Sequence, residues 1–119
     1  MIEILYVDDE VINLNLFDYS FRKDFVIHKS LSAEEGLELL DKIKIDVVIS
    51  DLKMPRMNGI DFIRIVKQKF PKKACILLTG YYEPTLFNDP EIQALLYRYI
   101  LKPFQKDELR NLILEASKI

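Results

Sequence analysis

Asp8 and Asp9 close a first apolar run, Ile2-Glu3-Ile4-Leu5-Tyr6-Val7, and Asp51 follows a second, Ile45-Asp46-Val47-Val48-Ile49-Ser50. Two such runs, laid side by side as parallel strands, bring all three carboxylates to the carboxyl edge of a sheet, where open α/β folds place their sites. Like charges crowded there repel and call for a cation, and hard oxygen ligands suit Mg²⁺. A fourth run ends in Leu78-Thr79-Gly80 and a fifth is followed by Lys102-Pro103. If all are parallel, a hydroxyl and an ammonium reach the same edge. The set makes sense as a phosphoryl-transfer site. Asp51 attacks phosphorus through a carboxylate oxygen, Asp8 and Asp9 hold the ion, Thr79 donates to a phosphoryl oxygen and Lys102 pairs with another. An ionised aspartate needs no general base. Each residue alone has a plainer reading: Thr79 as a turn residue, Lys102 as surface charge, Asp9-Glu10 as a favourable helix start.

The positioning elements are legible in the periodicity, which switches between short apolar runs and amphipathic stretches as α/β folds do. Strands are expected near residues 2–7, 25–29, 45–50, 74–78 and 97–101. Val11, Ile12, Leu14, Leu16, Phe17 and Phe21 predict one helix; Ile60, Phe62, Ile63, Val66 and Phe70 predict another. Ser32-Ala33-Glu34-Glu35 reads as a capping box, with Glu35 reaching back to the Ser32 amide and Leu37 and Leu40 on the buried face. Gly36 within that helix makes sense if helix and sheet pack closely. Asp89-Pro90 starts a short helix of about seven residues ending before Tyr97, whereas Glu83 to Asp89 reads as an irregular loop. A last helix over roughly 106–117 turns Leu109, Leu112, Ile113 and Ala116 toward the sheet.

With 119 residues, the chain is expected to form one domain, 1–119. It is 50% hydrophobic and 30% charged with a formal net charge of -2, which argues against disorder and against general nucleic-acid binding. The single cysteine, Cys75, sits in an apolar stretch and reads as a buried thiol. No basic stretch leads into a long apolar run, so a soluble, cytoplasmic protein with no membrane association is expected. His28 lies inside the second strand, away from the acidic edge, and is expected to be structural or superficial.

Tyr6-Val7-Asp8-Asp9-Glu10, Asp51-Leu52-Lys53-Met54-Pro55-Arg56-Met57-Asn58-Gly59, Leu78-Thr79-Gly80-Tyr81 and Tyr99-Ile100-Leu101-Lys102-Pro103-Phe104 resemble, in order and across essentially the whole chain, the response-regulator receiver domain. The resemblance implies a flavodoxin-like (βα)₅ fold, a doubly wound parallel five-stranded sheet in the order 2-1-3-4-5, and a role in two-component signalling. It implies that Asp51 accepts a phosphoryl group from phosphohistidine on a sensor histidine kinase or histidine phosphotransfer protein. Asp8, Asp9, Asp51 and the Lys53 backbone carbonyl would bind Mg²⁺, Thr79 and Tyr99 would form the switch, and Lys102-Pro103 would be cis. The fourth helix, fifth strand and fifth helix would form the output face, contacting a downstream protein or a second copy of the chain.

Some residues depart from that pattern. Many members of the family carry a small residue after the position of Thr79; Gly80 fits, but Tyr81 and Tyr82 are large, and Tyr81 either hinders or organises an attacking water. An ion pair between Glu10 and Lys53 is a further expected restriction on access. Ala94-Leu95 replaces a glycine pair, so the short helix must end without a left-handed cap. The tyrosine at 99 has an alternative reading as an ordinary sheet-edge residue. Two other functional classes fit part of the acidic set: a Mg²⁺-dependent aspartyl-phosphate phosphohydrolase, and a metal-free pseudo-receiver used only for binding. Lys53, standing where such a hydrolase would carry a second acid, argues against turnover of a separate substrate. The chain is short for a DNA-binding output region and reads either as a free-standing regulator or as part of a longer one.

Overall fold

The computed structural model describes residues 1–119. Five parallel strands form one sheet in the order β2-β1-β3-β4-β5: β1 Glu3–Val7, β2 Val26–Ser30, β3 Val47–Ser50, β4 Ala74–Thr79 and β5 Arg98–Leu101. The order expected from the resemblance is the order found. The central strands are buried on both faces because alternate residues point to opposite sides. Leu5, Val7, Val48, Cys75 and Leu77 join the core on one face, and Ile4, Tyr6, Val47, Ile49, Ile76 and Leu78 join the core on the other.

Helices α1 (Val11–Phe21) and α6 (Lys106–Ala116) cover the second face through Leu14, Phe17, Phe21, Leu109, Ile113 and Ala116. Helices α2 (Ala33–Lys42), α3 (Gly59–Lys69) and α5 (Pro90–Leu95) cover the first through residues such as Leu40, Phe62 and Ile92. A Cβ at Gly36 would lie 3.0 Å from Val7 Cγ2 and 3.3 Å from the Phe62 ring, so α2 approaches the sheet as closely as its glycine suggested. Cys75 is fully buried, and burial pushes its thiol up to about 12.

The structure changes three details. The capping box is half made: Ser32 accepts from the Glu35 amide at 3.1 Å, but the Ser32 amide is directed at Ser30 Oγ, 3.4 Å away, rather than at the Glu35 carboxylate. Glu83 to Asp89 is not wholly irregular, because Pro84–Phe87 form one helical turn, α4, with the Leu86 and Phe87 amides both donating to the Glu83 carbonyl at 3.0 Å. The third strand begins at Val47 rather than Ile45. The Ile45 carbonyl is taken by Lys73 Nζ at 2.6 Å, and the Asp46 carboxylate accepts from the Glu3 amide at 2.8 Å.

Helix α5 ends in extended backbone at Leu96, without a left-handed residue. On the edge strand β5, Tyr99 and Leu101 are exposed.

Candidate functional site

The sheet ladder positions the acids. The Asp51 amide donates to the Val7 carbonyl at 2.9 Å and the Asp8 amide to the Ser30 carbonyl at 3.1 Å, so pairing continues one step beyond the regular strands. That step sets Asp51 beside Asp8. On the other side of the site, the Lys102 amide donates to the Thr79 carbonyl at 2.7 Å, which brings the lysine back from the end of β5. The Lys102-Pro103 peptide is cis, as expected from the resemblance.

Asp8 is fully buried, Asp9 is exposed and Asp51 is intermediate. One carboxylate oxygen from each lies within 4.8 Å of the others. Oxygens sharing a six-coordinate Mg²⁺ with bonds of about 2.1 Å sit about 3–4 Å apart, so small side-chain movements bring the three into range. Oxygen-only donors of formal charge -1 each suit that ion, and the donor set fits it.

Lys102 Nζ bridges two of the acids, 3.0 Å from Asp8 Oδ2 and 3.5 Å from Asp51 Oδ1. Burial raises the Asp51 carboxyl above its ordinary range; Lys102 opposes the shift and the Asp8 charge reinforces it. Loss of water outweighs the attraction of one ammonium that is itself shared.

Asp8 carries contacts that sequence reasoning missed. The Tyr6 hydroxyl donates to Asp8 Oδ2 at 2.7 Å, and the Glu10 amide donates to Asp8 Oδ1 at 3.0 Å. Burial and the Asp8 charge push the Tyr6 hydroxyl far up, so it remains protonated and donates. The i, i+2 spacing on one strand was the available signal, hidden because a tyrosine in an apolar run reads as core.

Gly59 was also undervalued as part of a motif. A Cβ there would sit 2.1 Å from the Asp51 carbonyl oxygen, so the start of α3 lies against the site backbone. Its amide donates to the Leu52 carbonyl at 2.8 Å, and Asn58 caps α3 by accepting from the Asp61 amide at 2.9 Å. Between them and the site, Arg56 adopts a left-handed φ of 68°.

Thr79 is buried at the end of β4, and its Oγ1 accepts from the Tyr81 amide at 3.1 Å, which leaves its own hydroxyl hydrogen free to donate. Tyr99, 38% exposed, stacks on Phe87 with centroids 4.1 Å apart and planes 6° apart.

The expected Glu10–Lys53 ion pair is not formed. Lys53 Nζ lies 3.7 Å from Glu83 and 4.3 Å from the Tyr81 ring centroid, whereas Glu10 accepts from Asn13 at 3.5 Å, one turn along α1. Lys53 therefore links the loop after β3 to the loop after β4. His28 lies away from the acids, bonded to Glu3 at 2.9 Å. No helix is long and apolar enough to cross a membrane.

A doubly wound parallel five-stranded sheet with clustered carboxylates, a hydroxyl and a lysine at its carboxyl edge is a flavodoxin-like fold with its site where open α/β sheets place theirs. The family model for the response regulator receiver domain matches residues 4–114, and the chain belongs to that family. It is 28% identical over 113 residues to the hydrogenase transcriptional regulatory protein HoxA of Cupriavidus necator, an alignment covering 95% of this chain but 23% of that protein. The chain therefore spans about a quarter of HoxA's length. Among solved structures it resembles a response regulator receiver domain protein from Clostridium thermocellum, with a TM-score of 0.90, 29% identity and coverage of 99% of this chain and 95% of that one. It also resembles the response regulator TrrA from Thermotoga maritima, solved in complex with Mg(2+)-BeF, with a TM-score of 0.86, 26% identity and coverage of 98% and 99%. Its general function is that of a receiver in phosphorelay signalling.

Proposed function

We propose that this receiver takes a phosphoryl group from phosphohistidine onto Asp51 and responds by changing the surface around Tyr99. The observation that carries the reading is the approach of Asp8, Asp9 and Asp51 to within 4.8 Å, with the Lys102 ammonium between Asp8 and Asp51.

An Asp51 carboxylate oxygen forms the bond to phosphorus while the P–N bond breaks. The electron pair leaves on the donor ring nitrogen, and with the other ring nitrogen of the phosphohistidine already protonated the imidazole departs neutral. Asp8, Asp9 and Asp51 would hold Mg²⁺ together with the Lys53 carbonyl, and the ion when bound supplies positive charge against the repulsion between carboxylate and phosphoryl oxygens. Lys102, already 3.5 Å from Asp51, is placed to follow the transferred charge onto a phosphoryl oxygen. Thr79 offers its unused hydroxyl hydrogen to another.

Drawing Thr79 toward the new group vacates space at the end of β4, and Tyr99 turns inward from its stack on Phe87. The exposed side chains of Tyr81, Tyr82, Tyr99 and Leu101 make this the surface offered to a downstream protein or a second copy of the chain. A sensor histidine kinase or phosphotransfer protein is the proposed donor. No turnover of a separate substrate is involved.

Incubation with Mg²⁺ and acetyl phosphate, followed by intact mass, tests the assignment. Wild type should gain about 80 Da. Asp51→Asn should fold and gain nothing; an equal gain in that variant overturns the choice of acceptor. Sustained release of phosphate from a panel of phosphate esters would instead support the hydrolase reading.

A further inference from the structure

The Asp8 carboxylate can accept about four hydrogen bonds or metal contacts, two on each oxygen. Three of these positions are filled from within the chain. Tyr6 Oη at 2.7 Å and Lys102 Nζ at 3.0 Å both reach Oδ2, and the Glu10 amide at 3.0 Å reaches Oδ1. Only Oδ1 keeps a lone pair free.

We propose that Tyr6 is a positioning residue for the metal site, whose hydroxyl holds Asp8 Oδ2 so that Oδ1 is the oxygen presented to Mg²⁺. The inference deepens the proposed phosphoryl-transfer reading and rests on the metal site it contains.

The tyrosine is built for a fixed position. Its strand is paired on both sides, to β2 and to β3, and its ring is 1% exposed and packed against Phe17 with centroids 4.4 Å apart. The hydroxyl, with one proton to give and a carboxylate before it, acts as donor. A held ring and a short charge-assisted bond set the rotation of the Asp8 carboxylate about its own axis.

The role matters most when Lys102 moves. If the ammonium leaves Asp8 to follow charge at Asp51, a fully buried carboxylate oxygen loses one of its two donors. Tyr6 keeps that oxygen satisfied, so Lys102 can transfer without leaving Asp8 Oδ2 unpaired.

Tyr6→Phe removes the hydroxyl and keeps the ring. Partners that orient a metal ligand commonly change metal affinity by 10- to 100-fold, and we expect a loss of roughly tenfold in Mg²⁺ affinity, measured by amide shifts of Asp9, Glu10 and Lys53 during titration. A purely structural role would lower the melting temperature by the same amount with and without Mg²⁺. The positioning role instead shrinks the stabilisation gained on adding Mg²⁺ while leaving the amide spectrum dispersed. In wild type carrying ¹³Cζ-labelled tyrosine, the Tyr6 signal should shift on the same Mg²⁺ isotherm as the amides, a readout that does not depend on any variant folding. Affinity within twofold of wild type in a folded Tyr6→Phe, or a Tyr6 signal unmoved at saturating Mg²⁺, overturns the inference while leaving Asp8, Asp9 and Asp51 as ligands. Failure of wild type itself to bind Mg²⁺ overturns both.

Discussion

Phe87 and Tyr99 lie face to face, 4.1 Å between centroids and 6° between planes, and the contact joins the single turn of α4 to the edge strand β5. Phe87 is buried, and its backbone carbonyl accepts from Gln93 of α5 at 3.0 Å, which ties the turn of α4 to α5. Tyr99 is the more exposed partner, at 38%. In the proposed switch, an inward turn of Tyr99 gives up this stack and loses its contribution.

Aromatic pairs contribute about 0.5–1.5 kcal/mol beyond their buried area. Phe87→Leu, which keeps an apolar group in place, should therefore raise the inward population of Tyr99 by roughly two- to tenfold in the unphosphorylated protein. Tyr99 ring shifts in wild type, Phe87→Leu and the phosphorylated form provide the measurement. Shifts in the variant that do not move toward the phosphorylated values would count against a switch at Tyr99.

The raised Asp51 carboxyl links stability to pH. Below the carboxyl's unfolded-state range Asp51 is protonated in both states, and no penalty arises. As pH rises through that range and on through the higher folded-state value, the native protein holds the proton longer than the unfolded chain, so stability falls. Asp51→Asn removes this loss. Without Mg²⁺ it should melt higher than wild type at neutral pH, and the gap should close on acidification. Saturating Mg²⁺ should narrow the gap from the other side by stabilising wild type. Thermal melts at several pH values check the sign.

Gly59→Ala places a methyl 2.1 Å from the Asp51 carbonyl oxygen, a backbone atom that cannot swing aside as a side chain would. Overpacking of this kind costs about 1–3 kcal/mol. The cost should appear in denaturant unfolding, accompanied by weaker Mg²⁺ binding as the loop carrying Lys53 shifts. Gly80→Ala is the control, since a Cβ there meets nothing within 4 Å.

Lys53, two residues after Asp51, lies over the Tyr81 ring with Glu83 beside it, and we expect this contact between two loops to act as a cover for the acids. Tyr81→Ala should open that cover to water and shorten the life of the aspartyl phosphate. Decay of the phosphorylated mass after donor removal gives the rate. A decay slower than wild type would show instead that the tyrosine organises the attacking water.

Much of this site was readable along the chain. Apolar runs ending in Asp8, Asp9, Asp51 and Thr79, and one followed by Lys102, place those residues at the carboxyl edge because parallel strands share a direction and period-two alternation buries both sheet faces. The Asp89-Pro90 start was legible as a local capping requirement, and Gly36 because a glycine inside a helix signals a close approach, here to Val7 and Phe62. Contacts between segments were another matter. The sequence could not say that Lys53 would pair with Glu83 rather than Glu10, because that depends on where two loops of different strands come to rest. Nor could it reveal that Tyr6 and Lys102, 96 positions apart, donate to one oxygen of Asp8. Residue type and periodicity determined the strands and the chemical groups at their ends. Only tertiary packing, which sets distances between side chains remote in sequence, decided which donor meets which oxygen.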